Sequence, residues 1–202
     1  MSLLSKPRPF EGPSFSLANR LQRASWQLIC GVLFWPSPIA LHGWRCWLLR
    51  RFGARIGPGC AIYPDVRIWA PWNLRMAAQA CLGPAVHCDN LAPVHLGRRA
   101  LVSQRSHLCT GSHDYESETF ALTMAPITIG DDAWVCAESF VGPGIAIGPG
   151  AVVGARAVVT RSLPAWTVCA GNPCRAIKPR QRPAYTQSDF AQKDDMQKEA
   201  GS

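Results

Sequence analysis

Branched aliphatic residues recur at every sixth position along the second half of the chain. An α-helix buries every third or fourth residue and a β-strand every second one, so a sustained period of six fits neither element by itself. It is typical of a solenoid whose coil has short flat faces and whose branched residues point inward. The series consists of Ile129, Val135, Val141, Ile147, Val153 and Val159.

Small residues occupy fixed positions between these anchors. Alanine or serine stands four positions after four of the anchors, where a small side chain can share the interior. Glycine directly follows four anchors, and we expect these glycines to relieve the corners of the coil. The small residues are Ala133, Ser139, Ala151 and Ala157, and the glycines are Gly130, Gly142, Gly148 and Gly154.

The same spacing occurs upstream in shifted phases, and it lapses once. Each shift of phase predicts an inserted residue or loop. Between Cys109 and Pro126 the sequence CTGSHDYESE leaves the pattern, and we expect it to form a loop, where functional groups concentrate on rigid scaffolds. The upstream anchors are Ile56, Ile62 and Ile68, then Met76, Leu82 and Cys88, then Leu96, Val102 and Leu108.

Two helices are predicted ahead of the repeat. Apolar residues recur at helical spacing from Leu17 to Trp35, where Ser14 or Ser16 can cap the helix and Pro36 ends it. A second, shorter helix is expected around Leu41 to Phe52. We expect both to cover the open first turn of the solenoid, which exposes strand edges. The alternative is a position on a membrane surface, since no apolar stretch is long enough to span one.

Composition narrows the choice of partners. The formal net charge of +8 favours an anionic partner such as nucleic acid, a membrane surface or a phosphorylated cofactor. The arginines form several short clusters and no basic arm, so we expect no nucleic-acid partner. Nine cysteines are an odd number, none forms a C-x-x-C pair, and no secretory signal leads the chain. We therefore expect a reducing cytoplasm and no disulfide framework.

Several longer motifs resemble one enzyme family. Four segments carry the first resemblance: LCTGSHDY, PITIGDDAW, VGPGIAIGPGAVVGARAVVT and AGNPCRAIKPR. They are similar to segments of the hexapeptide-repeat O-acetyltransferases, which include the maltose and galactoside acetyltransferases. Five further segments are RPF, FSLANR, PSPIALHGWRCWLLRRFGARIG, IYPDVRIWAPWNL and NLAPVHLG. They resemble the colanic acid biosynthesis acetyltransferase group within that family. The resemblance covers about residues 8–180.

The resemblance implies a mainly β fold, a left-handed parallel β-helix of triangular cross-section. Three hexapeptides, about 18 residues, form each turn, so about seven turns are expected over residues 55–170. The expected organisation is an irregular segment and helical cap at 1–54, the β-helix domain at 55–180 with a catalytic loop at about 109–126, and a flexible tail at 181–202. The family forms homotrimers with sites between neighbouring coils.

His113 is the one histidine in the expected loop, and acyl transfer to a hydroxyl needs a base that is neutral near pH 7. Asp114, Glu116 or Glu118 could orient its imidazole. In the family, the histidine of the TGxHD segment is the general base, so the resemblance assigns that role to His113. It implies direct transfer from acetyl-CoA to a sugar hydroxyl, with the oxyanion stabilised by backbone amides.

The resemblance also implies the binding residues, with no metal expected. On the acceptor side it indicates Asn90, Asp114 and Trp134, although Asn90 also suits a corner and Trp134 a subunit contact. Cys136 stands where relatives have glycine or alanine, which puts close approach of the cofactor at that corner in doubt. The cofactor-binding residues are Ala137, Gly154 and Ala155 beside pantetheine, and Thr160, Arg161, Arg175 and Lys178 near the nucleotide.

Two other functions remain open. The γ-type carbonic anhydrases share the architecture and bind zinc with three histidines between subunits; here His95 and His113 are 18 positions apart, and His107 shares their place in the repeat. The second is a noncatalytic, carbohydrate-binding scaffold. For the enzyme, the resemblance implies an exopolysaccharide acceptor, with a lipid-linked form at the cytoplasmic face of the inner membrane as one option.

Overall fold

The structure is a computed structural model that describes residues 15–181. The irregular start and most of the flexible tail expected from the sequence, 1–14 and 182–202, lie outside the described residues, as does the candidate cap Ser14. Helix α1 spans Leu17–Ile29 and continues as one π-helical segment, Cys30–Phe34, and helix α2 spans His42–Arg51. Ser16 caps α1, because its hydroxyl accepts a hydrogen bond from the backbone N–H of Asn19 at 3.3 Å.

Three parallel sheets form the sides of the solenoid. Sheet 1 contains β1 (Arg55–Ile56), β4 (Leu74–Met76), β7 (Val94–Leu96), β12 (Ile127–Ile129) and β15 (Ala146–Ile147). Sheet 2 contains β2 (Ala61–Ile62), β5 (Cys81–Leu82), β8 (Leu101–Val102), β13 (Trp134–Val135), β16 (Val152–Val153) and β18 (Thr167–Ala170), with β19 (Arg175–Pro179) antiparallel at its edge. Sheet 3 contains β3 (Arg67–Ile68), β6 (His87–Asp89), β9 (His107–Cys109), β14 (Phe140–Val141) and β17 (Val158–Val159).

The length of a turn changes along the coil. Arg55 lies opposite Arg75, 20 positions later, whereas Thr128 lies opposite Ala146, 18 positions later. The early turns are longer because two extra residues enter each corner between sheet 3 and sheet 1, including the 3₁₀ turn Pro71–Asn73. The phase shifts in the sequence predicted these insertions. The coil has five full turns and a partial sixth, fewer than the seven expected, because the excursion after Cys109 takes up about one turn.

The aliphatic anchors fill the interior, as their period predicted. All six anchors from Ile129 to Val159 are at most 1% exposed. The glycines that follow them have a different role from the one expected. Gly130 and Gly148 do not have positive φ; a Cβ on either would lie 2.5 or 2.4 Å from the backbone of the next turn. Left-handed corner positions are instead taken mostly by other residues, such as Asp132 and Glu138.

Side chains from the helices cap the exposed edge of the first turn. Arg50 Nε donates to the carbonyl oxygen of Ile56 at 3.0 Å, on sheet 1. Arg45 Nε donates to Ile62 O at 2.6 Å, on sheet 2, and Trp26 Nε1 donates to Ile68 O at 2.8 Å, on sheet 3. Each of the three sheets therefore has a hydrogen-bond donor at its first strand, which protects an edge that would otherwise invite pairing with another chain.

The apolar stripe that predicted α1 does not face the coil. The face that packs on the coil carries Trp26, Cys30 and Phe34, which are at most 4% exposed. Leu21 and Leu28 are 63% and 68% exposed, and Leu17 and Val32 share this outward face. Between residues 15 and 181, no helix is long and apolar enough to cross a bilayer.

Candidate active site

The predicted loop is a β-hairpin that leaves the coil between sheet 3 and sheet 1. Its strands are β10 (Gly111–His113) and β11 (Leu122–Met124), and His113 pairs with Leu122. Thr110, fully buried at the base, accepts a hydrogen bond from the N–H of Ala125 through its carbonyl at 3.0 Å and donates one through its hydroxyl to Asp89 O at 2.8 Å. The hairpin is thus anchored to the rigid coil while His113 is exposed.

A backbone carbonyl orients the imidazole of His113. Its Nδ1 lies 2.6 Å from the carbonyl oxygen of Phe120, so Nδ1 carries the proton and donates it, which leaves the lone pair of the neutral ring on Nε2. The partner of Nδ1 is therefore a backbone carbonyl and not the side chain of Asp114. Asp114 instead closes the turn, because its Oδ1 accepts from the N–H of Glu116 at 3.0 Å.

The two other predicted acceptor residues differ in accessibility. Asn90 is fully buried, and both ends of its amide bond to Ala70, with Nδ2 donating to the carbonyl at 2.6 Å and Oδ1 accepting from the N–H at 2.9 Å. Asn90 therefore stabilises a corner of the coil by bonding to the backbone of the preceding turn. The geometry gives no support to the prediction that it contacts an acceptor directly. Trp134 is 43% exposed on the outer face of sheet 2 and donates to Ser103 Oγ at 2.8 Å.

The predicted cofactor residues occupy separate edges of the solenoid. Ala137 lies one turn below Gly154 and Ala155 at the corner between sheets 2 and 3, where Ala137 O accepts from the N–H of Arg156 at 2.9 Å. Thr160 and Arg161 lie at the corner between sheets 3 and 1, the corner from which the His113 hairpin also leaves. Arg175 and Lys178 are exposed on β19, at the edge of sheet 2. Within one chain Arg175 lies near the Gly154 corner, because its partner in the sheet, Ala170, stacks on Gly154. Thr160 and Arg161 lie at a different corner.

An ion-pair ladder runs along the corner between sheets 2 and 3, and sequence reasoning missed it. Glu138 accepts hydrogen bonds from Arg105 and Arg156 at 2.5 and 2.6 Å. These bonds, first that of Arg156, hold the pKa of the Glu138 carboxyl below its usual range. The ladder places two guanidinium groups beside Ala137 and Ala155. The only signal of the ladder in the sequence was that positive and negative residues alternate at the same corner position in successive turns.

The chain has relatives in both sequence and structure. The model of the bacterial transferase hexapeptide family (six repeats) matches residues 126–161. The "Putative colanic acid biosynthesis acetyltransferase WcaF" of Escherichia coli (strain K12) is 41% identical over 180 residues, which cover 89% of this chain and 96% of that protein. The chain belongs to the hexapeptide-repeat acetyltransferases. It is accordingly an acyltransferase.

Solved structures share the fold of this acetyltransferase. A galactoside acetyltransferase in complex with coenzyme A superposes with a TM-score of 0.76 at 21% identity, covering 87% of this chain and 90% of that one. A hexapeptide-repeat acetyltransferase from Vibrio cholerae O1 biovar eltor, complexed with acetyl coenzyme A, has a TM-score of 0.71 at 23% identity, covering 86% and 93%. The predicted left-handed parallel β-helix is confirmed.

One chain of the acetyltransferase does not stack the three histidines that regular coiling would bring together. His95 lies on sheet 1 opposite Arg75 and Thr128, His107 lies on sheet 3, and His113 is on the hairpin. The expectation assumed turns of 18 residues, whereas the turns in this region use 20. Residues 20 positions apart therefore stack, and His87 lies opposite His107.

His87, Asp89 and His107 form a cluster on the outer face of sheet 3. Asp89 lies between the rings, with His87 Nε2 3.1 Å from Oδ1 and His107 Nε2 2.8 Å from Oδ2. The hydrogen bond from His107 holds the pKa of the Asp89 carboxyl below its usual range, although burial opposes the shift. Burial lowers the pKa of His87, against the attraction of Asp89. The two-residue phase shift was the sequence signal that could have predicted this pairing.

A cavity of about 490 Å³ separates this cluster from the N-terminal helices. His87 and Asp89 line one wall, together with Arg67 on the neighbouring strand. Tryptophans supply much of the remaining lining, so the cavity combines flat apolar surfaces with a few ionisable groups, as ligand sites commonly do. The tryptophans are Trp26, Trp35 and Trp69.

Proposed function

We propose that this acetyltransferase transfers the acetyl group of acetyl-CoA to a sugar hydroxyl in exopolysaccharide biosynthesis, with His113 as general base. The contact between His113 Nδ1 and Phe120 O carries the proposal, because it favours the neutral tautomer whose Nε2 can accept a proton. The similarity to WcaF supports the pathway and the solved complexes with acetyl-CoA and coenzyme A support the donor.

The reaction needs no acyl-enzyme. His113 Nε2 removes the hydroxyl proton as the sugar oxygen attacks the thioester carbonyl carbon, which gives a tetrahedral oxyanion. Backbone N–H groups of the coil stabilise that charge. The intermediate then collapses, the carbon–sulfur bond breaks, and coenzyme A leaves as the thiolate, which receives the proton from the imidazolium. Trp134 forms part of the acceptor channel.

The complete site lies between subunits of a homotrimer. The support is the separation within one chain, since the hairpin of His113 and the small-residue corner at Ala137, Gly154 and Ala155 lie on different edges of the solenoid. In a cyclic trimer the edge of one coil faces the edge of the next, so His113 of one subunit meets the small-residue corner of another. A thin pantetheine arm fits that corner, and the exposed Arg161 and Arg175 suit the phosphates.

A substitution of His113 tests the role of the base. We expect His113→Ala to lower acetyl transfer by ~10²- to 10⁴-fold, while coenzyme A affinity and trimer mass stay unchanged. The matched control, His95→Ala, removes a histidine from sheet 1 and should retain turnover. The acceptor itself is identified by a screen of acetyl-CoA consumption against candidate glycans, with mass spectrometry of the products. Full turnover by His113→Ala would overturn the mechanism.

We propose also that the outward face of α1 rests on an anionic membrane surface, where a lipid-linked acceptor would be presented to a cytoplasmic enzyme. Residues 15–55 contain six arginines, of which Arg45 is buried, and no acidic residue, so charge as well as apolar exposure favours anionic lipid. The exposed Trp44 and Trp47, stacked with ring centroids 5.1 Å apart, suit the interfacial region of a bilayer.

Sedimentation with vesicles tests this second proposal. We expect binding to vesicles of phosphatidylglycerol, weak binding to phosphatidylcholine, and loss of binding in Leu21→Glu/Leu28→Glu. Ile177→Glu changes a similarly exposed side chain on β19 and serves as the control. If Leu21→Glu/Leu28→Glu changes the oligomeric mass and not vesicle binding, the stripe is a subunit contact and the proposal fails.

A further inference from the structure

The His87, Asp89 and His107 cluster has the composition of a metal site. Two imidazole nitrogens and one carboxylate are a common three-residue ligand set for zinc and related divalent ions, which keeps a further coordination position open. We propose that this cluster binds one divalent transition-metal ion. The ion is additional to the acetyl-transfer mechanism above, which assigns no role to it.

The distances fit coordination with small side-chain movements. The ligand atoms of the three residues all lie within 4.8 Å of one another, and ligand atoms around a tetrahedral zinc ion are about 3.3 Å apart. The present separations from Asp89 are 3.1 Å for His87 and 2.8 Å for His107. Rotations of the two rings about their side-chain bonds bring both Nε2 atoms toward a common centre.

The scaffold holds the ligands in neighbouring positions. His87 and Asp89 belong to β6 and His107 to β9, two adjacent parallel strands in which His87 lies directly opposite His107. Their rings stack with centroids 4.8 Å apart and an interplanar angle of 15°. Phe140, on the next strand, packs edge-on against His107 with centroids 5.4 Å apart. Ligands on strands keep their geometry better than ligands on loops, which lowers the ordering cost of binding.

Ion binding replaces the hydrogen bonds inside the cluster. In the structure both Nε2 atoms face the carboxylate of Asp89, as donors. When the ion binds, each neutral ring releases its proton from Nε2 to solvent and takes one up at Nδ1, so that the Nε2 lone pair is donated to the metal and the ring stays neutral. The carboxylate remains an anion and supplies one oxygen. Because both rings are neutral and the carboxylate carries one negative charge, the cluster with a divalent ion has a net charge of one positive unit.

The open coordination position faces a ligand-sized space. His87 and Asp89 border the cavity of about 490 Å³, and Arg67, which lies opposite His87 in the sheet, borders it too. A positive ion centre beside a guanidinium favours an anionic or hydroxyl oxygen as the fourth ligand. The tryptophan walls offer flat surfaces for the rest of such a molecule. We therefore assign the cavity to an oxygen-rich ligand held partly through the ion.

Metal binding to the full-length, untagged protein tests the proposal. After treatment with EDTA and dialysis, the protein is titrated with Zn²⁺ and separately with Co²⁺, and bound metal is measured by plasma mass spectrometry. We expect one ion per chain and, with Co²⁺, the visible absorption of a low-coordinate site. His87→Gln and His107→Gln should each weaken binding by more than the ~10- to 100-fold that loss of an outer-shell partner costs.

The controls separate this cluster from other metal-binding groups. His95→Gln and His113→Gln should bind one ion as the unchanged protein does, and His113→Gln should do so although it loses acetyl transfer, so the two proposals fail independently. Zinc retained in His87→Gln/His107→Gln would place the ion on cysteines and overturn the proposal. Absence of stoichiometric binding in the unchanged protein would also overturn it.

A measurement on the unchanged protein avoids any effect of substitution on folding. Diethyl pyrocarbonate modifies accessible imidazole nitrogens, and peptide mass spectrometry locates the products. We expect Zn²⁺ to protect His87 and His107 and to leave modification of the exposed His113 unchanged. Equal modification of His87 and His107 with and without Zn²⁺ would mean that the cluster is held by hydrogen bonds alone, which contradicts the proposal.

Discussion

The Nδ1 atom of His113 lies 2.6 Å from the carbonyl oxygen of Phe120, across the hairpin that carries both residues. Phe120 has a φ of 48°, a left-handed conformation that is uncommon for a bulky residue. The N–H of Phe120 also donates to the carbonyl of Ser117 at 3.1 Å, which closes the turn. The backbone conformation of Phe120 thus aims the carbonyl that orients the proposed base.

Substitutions of Phe120 separate its backbone role from its side chain. Phe120→Gly keeps access to positive φ and the N–H, so we expect turnover close to that of the unchanged enzyme. Phe120→Pro imposes a negative φ and removes the donor to Ser117, so kcat should fall by about tenfold or more, since misplacement by about 1 Å carries such penalties. Steady-state kinetics measures both, with coenzyme A affinity as the control for folding. Equal loss in the two variants would assign the effect to the ring.

The exposed arginines near the C-terminal end of the coil should bind cofactor phosphates. Loss of a charge-assisted hydrogen bond costs about 1.5–3 kcal/mol, so Arg161→Ala/Arg175→Ala should weaken coenzyme A binding at least tenfold, a factor equal to about 1.4 kcal/mol. Calorimetry measures the affinity. Arg55→Ala, at the opposite end of the solenoid, is the matched control for the lost positive charge. If both variants bind alike, the phosphate assignment is wrong.

The sequence predicted the coil well because its anchors interact with their nearest turns. Ile129 to Val159 keep one period, and the lapse after Cys109 coincides with the hairpin that carries His113. The proximity of His87 and His107 did not follow from a uniform turn, since it depends on two extra residues in a corner between them. The carbonyl of Phe120 could not be foreseen either, because any backbone carbonyl in a loop is an equal candidate until the turn is known.

The helices show a second limit of the sequence pattern. The outward Leu21 and Leu28 and the inward Trp26 and Phe34 are all apolar, so periodicity predicts the helix without telling which face packs. The structure selects the face with Trp26 because its indole N–H reaches the carbonyl of Ile68 at the open edge of sheet 3. A long-range hydrogen bond therefore decided the orientation, and no local pattern contains that information.

Two glycines offer a matched test of how tightly the turns pack. A Cβ on Gly148 would lie 2.4 Å from the backbone nitrogen of Ala165, whereas a Cβ on Gly142 would meet its nearest neighbour, Val159 O, at 3.4 Å. Neither glycine has positive φ, so the two substitutions differ in space and not in backbone strain. We expect Gly148→Ala to destabilise the protein by about 1–3 kcal/mol and Gly142→Ala to have little effect. Thermal or urea unfolding measures the difference; equal stability of the two variants would contradict it.

The ion pair between Arg98 and Asp131 should make part of the stability depend on pH. The backbone N–H of Arg98 donates to Asp131 Oδ1 at 2.8 Å and its Nε to Oδ2 at 3.1 Å. These bonds, the backbone one first, hold the pKa of the Asp131 carboxyl below its usual range. A lowered pKa in the folded state means that the stabilisation is present above the unfolded value of about 3.9 and is lost as the pH falls through the folded value.

Asp131→Asn should therefore lower the melting temperature at pH 7 and have a smaller effect near pH 3. Both groups are partly exposed, so the free-energy difference at pH 7 should stay within about 1 kcal/mol, or a few degrees for a chain of this size. The asparagine keeps an oxygen for the Arg98 N–H, so the substitution mainly removes charge. A double-mutant cycle with Arg98→Gln isolates the pair. An effect of equal size at both pH values would show that the charge of Asp131 does not contribute, because only the ionised carboxylate is lost on acidification.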